Sequence, residues 1–191
     1  MVDDPLAEDD LERVRSLFER ASRPYLSQPW SWLAWALILP TASLATPTVA
    51  GRGGPIGVLV LWSLAILAGG LIEAVQILRN RGLGSANTLS PWVLRAQGNL
   101  SLVAVVMSVA LVWQGAGWLL PGLWLLLLGH SLYTLGGMAF GPLRTGGLIY
   151  QVGGLATLLP LHLETRVFGL TTFAANLWIA WSIWREKSES G

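Results

Sequence analysis

The sequence predicts an all-α, polytopic membrane protein, with six transmembrane helices in one bundle preceded by a short amphipathic N-terminal helix. Three observations carry that class. Hydrophobic residues make up 53% of the chain and charged residues 12%, about half the charged share of a soluble domain. Apolar runs of about 20 residues, enough to cross a hydrocarbon core, occur six times, over 30–49, 55–78, 91–113, 118–140, 142–161 and 167–184. The 11 Trp and 22 Gly fit the same class, because Trp favours the headgroup level and Gly is commoner in transmembrane helices than in soluble ones. The predicted organisation is a cytoplasmic segment 1–28, a membrane domain 29–186 and a short cytoplasmic tail 187–191.

Residues 1–23 hold seven of the 11 acidic residues. Within them DDLERVRSLFERA places Leu11, Val14, Phe18 and Ala21 on one helical face. Asp9 with Glu12 three residues on suits the start of that helix, and Pro24 ends it. The segment reads either as an interfacial or partner-docking helix or as a solvated lead-in to the first span. Acidic residues outnumber Arg here seven to four, which disfavours attraction to anionic lipid.

The first span contains Pro40 and is expected to kink there. Its apolar start, followed by Pro40 and TASLA, has the outline of a signal-peptide core with a small-residue cleavage site. The long acidic lead and the return of apolar character through Val49 favour a span instead. Pro55, Pro91 and Pro142 mark the next helix starts, preceded by Gly54, Ser90 and Gly141 as caps. With the N-terminus inside, ten of the 12 Lys and Arg fall on the cytoplasmic side and only Arg52 and Arg166 outside. The positive-inside rule thus predicts an inner-membrane protein with both termini in the cytoplasm.

Polar residues recur inside the spans. Measured from the cytoplasmic ends at about 1.5 Å per residue, Glu73, Asn99, His130, Gln151 and Asn176 all lie at roughly 9 to 15 Å. Gln76 shares the face of Glu73, together with Ala65 and Gly69. Gly147, Gln151 and Gly154 share another face, as do His130, Thr134 and Gly137, and Thr172, Asn176 and Ala180. Small residues beside polar ones make helix–helix interfaces in lipid, so the layer is expected to face the bundle. The first span offers only Leu37 and apolar neighbours at that depth and is expected to lie at the bundle's edge or to pack through aliphatic contacts. An ionisable group at this depth is a functional-site candidate, and the partners predicted for Glu73 are Arg95 and His130. The candidate ligand-binding or proton-linked residues are therefore Glu73, Gln76, Arg95, Asn99, His130, Gln151 and Asn176.

Other chemistry is poorly supported. The chain has no Cys, which excludes disulfides, thiolate metal sites and covalent c-type haem attachment. His130 and His162 lie roughly 15 Å apart in depth, so they do not share a haem, and LHLETR holds too few ligands for zinc. No Gly-x-Ser-x-Gly and no Walker sequence occurs. The glycines of GGMAFGPLRTGGLIYQVGG sit at helical spacing and read as packing positions, although Arg144 in that turn could meet a lipid phosphate. GGLIEAV at Gly69 and GGLIYQV at Gly146 match in five of seven positions but occupy opposite ends of their spans, so they are not the register of an inverted repeat. A net charge of +1 gives no pull toward nucleic acid.

No catalytic residue, cofactor or metal is predicted. The leading reading is a non-enzymatic accessory or regulatory subunit of a membrane complex, with the lipid bilayer, other membrane subunits and a cytoplasmic protein met through residues 1–23 as partners. The alternatives are a small transporter or ligand-binding protein using the polar layer, and a lipid- or quinone-modifying enzyme with Glu73 and His130 as acid and base.

Overall fold

The computed structural model describes residues 28–80, 90–138, 141–159 and 162–189. They form five helices in chain order: α1 (Pro29–Asn80), α2 (Ser90–Trp113), α3 (Leu120–Met138) after a 3-10 turn at Gly117–Leu119, α4 (Gly141–Thr157) and α5 (Glu164–Glu189). No strand occurs among the described residues. Four stretches, Pro29–Gln76, Arg95–Trp113, Gly117–Gly137 and Glu164–Glu189, are long and apolar enough to cross a membrane. The predicted amphipathic helix, with Leu11, Val14 and Phe18, lies outside the described residues.

A straight α1 of 52 residues would run about 78 Å and hold its ends far apart. Instead Trp35 Nε1 donates to Glu73 Oε1 at 2.8 Å and Trp62 Nε1 to Thr46 Oγ1 at 3.1 Å. The helix therefore folds back on itself as two antiparallel limbs. The fold falls at Gly54, with φ 59° and ψ −156°, a region open to glycine and closed to residues with a Cβ. Pro55 then restarts the helix, because its locked φ suits a first helical position. Pro40 and Pro47 sit within helical backbone, and the helix breaks at Gly54, between the first two predicted spans.

Gly54→Ala is accordingly expected to cost about 1–3 kcal/mol, read as a lowered thermal midpoint in detergent. Gly53→Ala serves as the control, since a Cβ there meets nothing within 4 Å. An unchanged midpoint in Gly54→Ala would show that the fold-back does not depend on this dihedral.

The N-terminal limb packs against α5, the packed rather than the edge place of the two expected for it. Ala36, Ala42 and Ser43 are buried, and their small side chains allow the close approach. Ser43 Oγ donates to the carbonyl of Thr165 at 2.6 Å, and Trp30 meets Trp184 edge-on at 5.6 Å. Helix α4 lies between α3 and α5. It turns Gly147 and Gly154 toward α3 and Gly146 and Gly153 toward α5, and all four are buried. Leu125, Tyr150, Phe168 and Ala175 form the core where α3, α4 and α5 meet, with Leu39 and Trp62 of α1 packed on it. Helix α2 is the edge element: among residues 95–113 only Ala104 is buried.

A device recurs in the two hairpins. Thr46 Oγ1 donates to the carbonyl of Ala42 and accepts from Trp62, 16 residues on. Ser108 Oγ donates to the carbonyl of Ala104 and accepts from Trp124, again 16 residues on. Each member of the second set follows its counterpart by 62 residues, and so does Gln97, which bonds Ser131 where Trp35 covers Gly69. The likeness joins hydrogen-bond geometry to residue type, with Ala and Trp identical and Thr replaced by Ser, and it is distinct from the GGLIEAV and GGLIYQV match.

Candidate functional site: the polar residues at membrane depth

Glu73 lies on the C-terminal limb of α1, one turn beyond Gly69. The Trp35 ring occupies the space over Gly69, where any Cβ would collide with it, and so its indole N–H reaches the carboxylate. Trp35 and Glu73 are equidistant from Gly54, as are Thr46 and Trp62. The first span thus supplies the partner of Glu73, contrary to the reading that it offers nothing at this depth. Glu73 makes no ion pair with Arg95 or His130 among the described residues, and its side chain stays open on one side. Gln76, on the same face, is half-buried.

Asn176 is fully inside, 1% exposed. Its Nδ2 donates to the Tyr150 hydroxyl at 2.9 Å and ties α5 to α4. Thr172 is also buried and returns its hydroxyl to the carbonyls of Phe168 and Gly169 within its own helix. Gln151 is half-buried, with its backbone N and Cγ where a Cβ on Gly129 would lie 2.8 Å from each. Asn176 thus ties two helices through its amide, whereas Gln151 lines the α3–α4 contact through its backbone and Cγ.

The remaining candidates point elsewhere. Helix α3 turns Gly122, Gly129 and Gly136 toward α4, and Trp124 and Ser131 toward α2. By helical spacing His130 and Thr134 fall on neither face, and both are exposed. Among the described residues, His130 is bonded through its backbone carbonyl, which accepts from Thr134 Oγ1 at 2.9 Å. Asn99 on α2 is two residues from Gln97, hence on the side away from α3, and it is exposed, as is Arg95. Neither the Asn99 amide nor the His130 imidazole has a partner among the described residues. The structure therefore places Gln151 and Asn176 at helix contacts, pairs Glu73 with a residue of its own hairpin, and leaves Arg95, Asn99 and His130 outward.

Four polar partners escaped the sequence reading. Trp35 was hidden among 11 Trp read as interfacial anchors, and the signal that finds it is its mirror position to Glu73 about the Gly-Pro fold. Gln97 bonds Ser131, and both were overlooked beside Asn99 and His130. Tyr133 accepts from Arg144 Nη2 at 2.7 Å, with the guanidinium carbon 4.9 Å from its ring centroid. That contact combines a hydrogen bond with a cation–π attraction at the α3–α4 turn. No group of three potential metal ligands occurs among the described residues.

A chain whose described residues are helical, with four helices among them apolar enough for a bilayer and with carboxylate, amide and imidazole groups along those helices, has the build of a membrane-embedded protein. No family model, no curated protein and no solved structure matches it.

Proposed function

We propose that the chain passes the inner membrane six times, α1 crossing twice through its fold at Gly54, with both termini in the cytoplasm, and that it serves as a non-enzymatic accessory subunit of a membrane complex. One observation carries the accessory role. Three polar groups between helices are matched within the chain, Glu73 by Trp35, Gln97 by Ser131 and Asn176 by Tyr150, whereas Asn99 and His130 face outward at membrane depth without partners among the described residues. Hydrocarbon offers an amide or imidazole no hydrogen bond, so such groups on an outer surface call for lateral neighbours. The acidic segment 1–23 would meet a cytoplasmic component of the same complex.

Gentle solubilisation of native membranes is expected to release the tagged full chain in an assembly larger than a monomer, and deletion of residues 1–23 is expected to shed its cytoplasmic component. A lone monomer, unaffected by that deletion, would overturn the proposal. Glu73→Gln keeps an oxygen to accept from Trp35 and is expected to assemble as wild type. Abolition of a pH-dependent solute uptake by that substitution would instead favour a small transporter built around Glu73.

A further inference from the structure

We infer that the outward face of α2 is a self-association seam, through which two copies of this chain pair side by side in the membrane. This deepens the accessory reading by naming one lateral neighbour, and it rests on α2 crossing the bilayer. Among the described residues, helix α2 is held on one side only, through Gln97 and Ser108, which bond α3, with Ala104 buried between them. On the opposite side Ala96, Asn99, Val103, Val106, Ala110 and Trp113 follow one another at alternating intervals of three and four residues. That is the spacing of a coiled-coil seam, and all six are exposed, Val106 by 61% and Trp113 by 89%.

Asn99 identifies the occupant. Its amide lacks a partner among the described residues, and its side chain is too short to snorkel as Arg95, one turn nearer the cytoplasm, can. Lipid tails cannot bond it. A primary amide carries both donor and acceptor, so across a two-fold axis Asn99 of one copy and Asn99 of the other satisfy each other, as an isologous interface requires. A single Asn in an otherwise apolar seam sets register and oligomeric state. Val103 and Val106 supply the β-branched contacts on one side of it, and Ala96 and Ala110 the close approach.

The absence of Cys from the chain makes the test direct, because one introduced thiol reports one position. Full-length Val103→Cys and Val106→Cys, oxidised with copper phenanthroline in membrane vesicles, are expected to give a disulfide-linked dimer. Val105→Cys is 50% exposed in the native residue but off the seam, and is expected not to. Adding Asn99→Leu to Val106→Cys is expected to cut dimer yield about tenfold. Four results would each overturn the inference: no dimer from either seam position, equal dimer from Val105→Cys, cross-linking only to a protein of another mass, or dimer only after removal of residues 1–27. Alkaline carbonate extraction of the same vesicles separates the two levels. A chain released by carbonate sinks the membrane reading itself, whereas a retained chain that does not dimerise sinks only the seam.

Discussion

Gly147→Leu is expected to lower stability by about 3 kcal/mol or more, at the upper end of overpacking costs, and the thermal midpoint in detergent by about 6–12 °C. The reason is that the neighbours are backbone. A Cβ at Gly147 would collide with the amide nitrogen of Tyr133 and lie 2.7 Å from the carbonyl oxygen of Gly129. A side-chain neighbour can rotate away, but a helix backbone yields only by moving the whole of α3 off α4. Gly136 faces the same obstacle, since its Cβ would meet the backbone of Arg144, and Gly136→Leu is expected to behave alike. Gly137 has nothing within 4 Å of its Cβ position, so Gly137→Ala should leave the midpoint within about 1 °C. Near-UV circular dichroism of the purified protein during heating reads all three. Equal midpoints for Gly147→Leu and Gly137→Ala would show that α3 and α4 do not approach as described.

Tyr150→Phe is expected to cost about 1–3 kcal/mol, although it removes a single oxygen. That hydroxyl accepts from Asn176 Nδ2, and the amide is 1% exposed. Without the hydroxyl a buried donor is left with no partner, and the loss of the bond is joined by the desolvation of an unpaired group. Asn176→Leu in the Tyr150→Phe background removes the orphan as well and should recover most of the loss. The double-mutant cycle measures the coupling. Additive losses in the two single variants and the double would mean that the hydroxyl and amide do not depend on each other.

How much of this was legible in the residues depends on the range of the physics involved. Helix starts were legible because they are local: Pro55, Ser90 before Pro91, and Gly141 before Pro142 each stand at a structural boundary, set by a missing N–H and a locked φ. The buried face of Thr172, Asn176 and Ala180 was legible too, since small and polar residues aligned on an apolar helix mark a helix contact. The partner of Glu73 was not. Arg95 and His130 were chosen by charge and depth, whereas the chain folds at Gly54 and brings up Trp35, whose neutral N–H reaches the carboxylate. The sequence left the first limb open between an edge and a packed place for a related reason. Ala36, Ala42 and Ser43 carry little hydrophobic signal, yet their small size lets α5 close on the limb.

Asn99 and Gln97 show the same limit on one helix. They are two residues apart and equally polar, but Gln97 turns to Ser131 on α3 while Asn99 turns away from α3. Hydropathy cannot separate them, because a helix that is apolar all round has no sidedness to read. By itself the sequence determined the class of the protein, the apolar lengths and the helix starts, all consequences of composition and of backbone chemistry within a few residues. Only the tertiary structure decided which polar group meets which, which limb lies inside and which face stays bare. Those outcomes follow from the antiparallel folding of α1 at Gly54 and from glycine contacts that bring α3, α4 and α5 together. They depend on distances between residues far apart in the chain, which local pattern does not encode.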